Sequence, residues 1–313
     1  MDRPSTRYRL VQYVPHLKEN GIETDIRVLP SGLKRWKLFS TSGLYDAVFV
    51  QKKLFSRIQI WYLRRKAKKI IYDFDDAIMY TKSKYSFNTR RYKRFRYMIK
   101  IADCVIAGNK YLAGMSDTEK TKIIPTVLDV AHYPLHKRRG TDIVVGWIGT
   151  KSTQEYLSFL EMLFDKIEKK FPRVTIKIVS DEKPKFSIES VEWEKWNEAR
   201  EIEQLLSFDI GIMPLSDNPW TRGKCGFKII QYMAGGIPVI CSPVGANVDI
   251  VKDKMNGLYA SGVSDWERAI SDLIMDIELY KKMAVAGREN AEKNYNLSIL
   301  GPYFAKLIKD SIG

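Results

Sequence analysis

Asp209-Ile-Gly-Ile-Met-Pro-Leu-Ser-Asp-Asn-Pro-Trp-Thr-Arg-Gly-Lys-Cys-Gly-Phe-Lys-Ile-Ile-Gln-Tyr-Met-Ala-Gly-Gly-Ile-Pro-Val-Ile-Cys-Ser-Pro-Val-Gly245 is the stretch that decides the fold. Asp209–Pro214 reads as a strand, Cys225–Ala234 as a helix stopped by Gly235-Gly236, and Pro238–Cys241 as a second strand. Strand, loop, helix and strand in that order build a parallel sheet. The loop delivers Arg222, Gly223, Lys224 and Gly226 to the helix start, where exposed N–H groups and the dipole favour a phosphate or diphosphate. Glycines there let a ligand approach the backbone closely. Lys224, Lys228 and Gln231 are spaced by four and three, so they share one helix face. Two ammonium groups could neutralise a diphosphate, and an amide could bond ribose hydroxyls. A basic helix face beside ordinary turn glycines would have the same spacing.

Outward from this segment the α/β alternation continues. In the first half, helix Arg7–Asn20 leads to strands at Thr24–Leu29, Asp46–Val50, Lys69–Tyr72, Cys104–Ala107 and Lys122–Pro125, with helices at Phe55–Lys68 and Thr89–Ile101. Periodicity is lost over Thr126–Gly140, which ends in His136-Lys137-Arg138-Arg139-Gly140 and marks a domain boundary. Strand Asp142–Ile148, helix Thr153–Phe171, strand Val174–Val179, a Glu- and Trp-rich stretch and helix Glu198–Ser207 follow. A long helical tail begins at Asp265. With 313 residues, two domains are expected.

Charge is unevenly placed. Residues 1–140 hold 30 Lys and Arg against 12 Asp and Glu, a net +18; the remainder holds 22 against 25, a net −3, giving the chain's +15. A basic first half implies a membrane surface, a phosphorylated acceptor or nucleic acid as partner, or else a solvated basic face. Cys104, Cys225 and Cys241 have no metal-ligand spacing and form no even disulfide set, which fits a reducing, cytoplasmic compartment. No apolar run is long enough to span a bilayer, and Met1-Asp2-Arg3-Pro4 lacks the apolar core of a signal peptide.

The pieces Gly226-Phe227, Met233-Ala234-Gly235-Gly236-Ile237-Pro238-Val239-Ile240 and Ser242-Pro243-Val244-Gly245 resemble, in order, the donor-binding region of family 4 glycosyltransferases. Ala102-Asp103-Cys104-Val105-Ile106-Ala107-Gly108-Asn109, Ile124-Pro125-Thr126-Val127-Leu128-Asp129 and Gly146-Trp147-Ile148-Gly149 extend the resemblance over nearly the whole chain. It implies an α/β GT-B fold, two Rossmann-like domains with parallel sheets facing a cleft. The acceptor domain would be 1–139, the donor domain 140–290, and a helix at 291–313 would pack back on the first. It also implies transfer from a nucleotide sugar, with retention and without a metal or other cofactor, to a polysaccharide, lipid-linked or other acceptor. The donor site would comprise Gly149, Lys151, Arg222, Gly223, Lys224, Gly226, Phe227, Lys228 and Gln231. Two departures stand out. The family commonly carries two glutamates seven residues apart where this chain has Gly223 and Gln231. Its first strand also has no counterpart before Arg3-Pro4-Ser5-Thr6-Arg7-Tyr8-Arg9, which is similar to the loop that follows that strand.

Tyr72-Asp73-Phe74-Asp75-Asp76 ends a strand at the sheet edge where α/β proteins bind ligands, so Asp75 or Asp76 could accept a proton from an acceptor hydroxyl or orient it. An Asp capping the next helix is the plainer alternative. His16, His132 and His136 fall outside strand ends, and Lys151 could be a surface lysine. Retaining chemistry tolerates the missing base, since the leaving diphosphate can take the acceptor proton and the protein need only stabilise its charge. The basic-aromatic stretch Tyr85–Lys100, with Arg64-Arg65-Lys66-Ala67-Lys68-Lys69, suits docking on the inner face of an anionic membrane; nucleic acid or plain solvent are the other partners it could face. A non-catalytic module of the same fold, binding an anionic partner, is the rival to a transferase.

Overall fold

The computed structural model describes residues 4–81, 86–116, 118–138, 140–186 and 191–313. Arg3, Tyr85 and Arg139, on which the sequence expectations touched, lie outside them. The chain forms two compact units, one of Met1–Val127, Asn218–Cys225 and Leu297–Gly313, the other of Leu128–Asp217 and Gly226–Asn296.

The first unit runs α1 (Pro4–Arg9), α2 (Val14–Glu19), α3 (Gly32–Ser40), β1 (Ala47–Gln51), α4 (Arg57–Lys66), β2 (Lys69–Phe74) and the hairpin β3 (Tyr80–Thr81) and β4 (Ser86–Phe87). It continues with α5 (Thr89–Ile101), β5 (Cys104–Ala107), α6 (Lys110–Ser116) and β6 (Thr121–Ile123). Its main sheet is parallel in the order β1-β2-β5-β6. A capping box starts α4: Gln59 N–H donates to Ser56 Oγ and Ser56 N–H to Gln59 Oε1. In α5, Phe95, Met98 and Ile99 recur at helical spacing and are buried against Tyr72 and Phe74 of β2. Asp103 ties the turn before β5 to β2, accepting from Ile70 N–H at 2.8 Å and from Arg64 at 2.5 Å.

Asp103 gives a pH-dependent expectation. Burial opposes its charge, but the Ile70 amide and the Arg64 guanidinium outweigh this and hold its pKa below the ordinary carboxylate value. A depressed folded pKa stabilises above the unfolded value, about 4, and that stability is lost as pH falls through the folded one. Asp103→Asn is therefore expected to cost about 0.5–1 kcal/mol at pH 7, fading below pH ~4. Urea unfolding of both proteins at pH 7 and pH 3 checks it; a difference undiminished at pH 3 contradicts the assignment.

The N-terminal region departs from expectation. Arg7–Asn20 is not one helix: α1 ends at Arg9, Leu10 leaves helical geometry, and α2 restarts at Val14 with a proline in its first turn. Pro4–Arg9 is helix rather than loop. Thr24–Leu29 forms no strand; it joins no ladder. Among the described residues no strand precedes β1, which is an edge strand. The tail helix Leu297–Ile312 belongs to this unit, with Phe304 stacked on Tyr13 at 4.2 Å.

The second unit holds β7 (Ile143–Gly149), β8 (Val174–Ser180), β9 (Glu192–Lys195), β10 (Ile210–Met213), β11 (Val239–Cys241) and β12 (Leu258–Tyr259). All are parallel, in the order β12-β11-β10-β7-β8-β9. The Glu- and Trp-rich stretch thus contains an edge strand, β9. The sequence order reverses between β7 and β10, the switch point outside whose carboxyl ends such sheets bind ligands. Trp147, Leu160, Phe164, Ile178 and Trp266 fill the core. Two glycines let rings lie on the sheet: a Cβ at Gly146 would stand 2.0 Å from the Phe208 ring, and one at Gly211 2.5 Å from Tyr232. His136 pins the start of the unit, with its ring nitrogens 3.0 Å from Leu206 O and 2.8 Å from Asp209 Oδ1.

Candidate functional site

In the second unit Gly149 and Lys228 lie together at the carboxyl end of β7, a strand of the switch point. Gly149 ends β7, and a Cβ there would stand 2.4 Å from the Trp147 ring and 3.0 Å from Lys228 Cε. Because glycine has none, the Lys228 stem crosses the strand end and its ammonium lies 4.8 Å from the Trp147 ring centroid. Lys228 belongs to helix Phe227–Ala234, and Gly226 is its N-cap at φ +64°, a conformation that disfavours any side chain. A Cβ at Gly226 would also meet Ile250 at 2.3 Å. The helix begins at Phe227, so Lys224 is not on it and shares no helical face with Lys228.

Two expected donor contacts are turned elsewhere. Lys151 sends its ammonium to Glu182 at 2.6 Å on the exposed surface. Gln231 is only 3% exposed, and its amide donates to Glu201 Oε1 at 2.5 Å and Tyr133 OH at 3.3 Å. The spacing argument placed Gln231 on an open face; the protein's own side chains occupy it. Glu201, from helix Glu201–Leu205, thereby brings a carboxylate to the helix position that lacks one, across a separation no local pattern announces.

Arg222, Gly223 and Lys224 belong to the first unit. Asn218 caps the turn Pro219–Arg222, and Asn109 Nδ2 donates to Lys224 O at 3.0 Å. A Cβ at Gly223 would be 2.6 Å from Ala77 Cβ and 2.7 Å from its nitrogen. This close approach explains the glycine: a glutamate does not fit against Ala77. The Cys225 thiol donates to Asp75 O at 3.2 Å, and Gly108 makes room, since a Cβ there would stand 2.4 Å from Cys225 Sγ.

At the carboxyl end of β2 the three carboxylates have separate tasks. Asp73 is fully buried and pairs with Arg9, which also donates to Ile124 O at 2.5 Å. Asp75 and Asp76 share Lys52, whose ammonium is 2.5 Å from Asp75 Oδ1 and 2.6 Å from Asp76 Oδ2. Neither carboxylate caps a helix. Lys52 follows β1 with φ +54°, strained for a residue with a side chain, and its N–H donates to Asp73 O at 2.8 Å. Sequence reasoning missed Lys52, although two lysines directly after a strand were a usable signal. Lys52→Gly is expected to be more stable than Lys52→Met by about 1 kcal/mol, because both lose the ammonium and only glycine relaxes the backbone. Equal urea midpoints would argue against the strain.

Residues 142–276, which take in most of the second unit and Asn218–Cys225 of the first, match the family described as glycosyl transferases group 1. Sucrose-phosphate synthase from Thermosynechococcus elongatus is similar in structure at TM-score 0.70 and 15% identity, covering 88% of this chain and 76% of that one. Anabaena HepE in complex with UDP-glucose gives 0.69 and 15%, covering 94% and 88%. A glycosyltransferase from Rickettsia africae gives 0.67 and 14%, covering 96% and 87%. No curated protein matches in sequence. The chain has the GT-B fold of these glycosyltransferases, as its sequence led one to expect. The stretch 142–276 is what resembles group 1 glycosyl transferases in sequence.

Proposed function

We propose that the chain is a glycosyltransferase of the family 4 type that takes a hexose from a nucleotide-diphosphate sugar, with retention and without a metal. The observation that carries this is the Gly149, Trp147 and Lys228 arrangement beside Gly226, at the switch point of a segment matching group 1 glycosyltransferases. Helix amides and one ammonium there suit a diphosphate, whose charge grows as the sugar leaves. UDP is the first nucleotide to try, since HepE is described with UDP-glucose bound. The second unit is the donor side and the first the acceptor side, where Lys52 fixes Asp75 and Asp76 to orient an acceptor hydroxyl of a glycan or lipid-linked acceptor. The basic first unit works at a membrane surface; among the described residues no helix is long and apolar enough to cross one. Isothermal titration with UDP, GDP and ADP, followed by hydrolysis assays with the matching sugar nucleotides, tests the proposal. Failure of every nucleotide to bind would leave the non-catalytic reading, which the burial of Gln231 favours.

A further inference from the structure

We infer that the outer face of α4 and α5 is an interfacial docking surface for an anionic bilayer. This deepens the membrane-proximal reading above and rests on it for its purpose. The two helices pack side by side in the first unit. Between them they carry Arg57, Arg64, Arg65, Lys66, Arg90, Arg91, Lys93, Arg94, Arg96 and Lys100 and no acidic residue. Arg64, Arg91 and Arg96 are taken up by Asp103, Ile78 O and Ser116 O, and the excess of like charge that remains favours an anionic partner.

The face is not merely charged. In α4, Ile60 and Leu63 point into the core, whereas Ile58 and Trp61, three residues apart, stand 69% and 60% exposed on the opposite side. They line a groove of 550 Å³ with Arg57, Arg65 and Tyr97. An apolar residue and an indole set among arginines match the layered chemistry of a lipid interface, where the headgroup phosphates take the cations and the indole sits at headgroup depth. Nucleic acid fits less well. Stacking needs open ring faces, and one face of Tyr97 is taken by the Arg57 guanidinium at 4.6 Å and one face of Trp61 by that of Arg65 at 5.6 Å. Ile58 would also have no partner on a polyanion. Arg64 serves the fold through Asp103 and is left out of the test.

The test is sedimentation of the full chain with vesicles of phosphatidylcholine alone and with 30 mol% phosphatidylglycerol. The wild type is expected to bind the anionic vesicles, to leave the neutral ones, and to release in high salt. Removing one cation weakens partition by about fivefold, so the double variant Arg57→Gln with Arg65→Gln is expected to lose roughly 25-fold. Ile58→Ser with Trp61→Ser should weaken binding at unchanged charge. All four side chains are exposed or rim the groove, so thermal unfolding should stay within a degree or two of wild type. Equal binding by the variants, absence of vesicle binding, or variant-sensitive binding to a DNA duplex in its place would overturn the proposal. Nucleotide titration of the same proteins keeps the two ideas apart: a wild type that binds nucleotide but no anionic vesicle sinks this surface alone. Vesicle binding without binding of UDP, GDP or ADP sinks the transferase alone.

Discussion

Asp73→Ala is expected to destabilise the protein by about 3–5 kcal/mol, because it leaves the Arg9 guanidinium buried without a counter-charge. Arg9 is 2% exposed and Asp73 0%, so water cannot take over. Burial alone would push the Arg9 pKa down, yet attraction and hydrogen bonds from Asp73 outweigh that and raise it. The contact joins α1 to the end of β2, and through Ile124 O to the segment just after β6, so three parts of the first unit loosen together. Urea unfolding measures the loss. The double change Arg9→Met with Asp73→Leu should recover most of it, since an apolar pair of similar volume carries no desolvation cost. A single change costing under about 1 kcal/mol would mean that the pair is hydrated.

Lys228→Met should lower kcat/KM for the donor about 10²–10³-fold, the loss typical of one fixed group facing developing charge. The methionine keeps an unbranched stem over Gly149 and the Trp147 ring, so the fold should tolerate it. UDP affinity should fall as well, because the product diphosphate carries the same charge. Steady-state kinetics with titration of UDP decides this. Unchanged turnover and unchanged nucleotide affinity would place the diphosphate elsewhere.

Much of the fold was legible where one short segment carries its own pattern. The limits Cys104–Ala107 and Thr89–Ile101 are those expected, the first a continuous apolar run and the second an amphipathic helix opened by Asn88. Thr24–Leu29 looked like a strand by composition, but a strand exists only if a neighbour pairs with it, and composition does not reveal neighbours. At the candidate site, Gly149, Gly226 and Lys228 could be singled out because turn glycines and a helix start are local signals. Gln231 misled because helical spacing gives a direction and not what lies there; Glu201, thirty positions earlier, does. Gly223 looked like the loss of a functional side chain, whereas Ala77 shows it to be a steric necessity.

Because the polypeptide passes from one unit to the other at Val127, Asp217, Cys225 and Asn296, neither is a single continuous stretch of chain. A swap of the C-terminal half for that of a relative would import a foreign octapeptide, Asn218–Cys225, to rest on Ala77, Asn109 and Asp75. It would also import a foreign last helix to meet Tyr13. Chimeras of this protein should therefore work only when those inserts travel with the N-terminal half they complete.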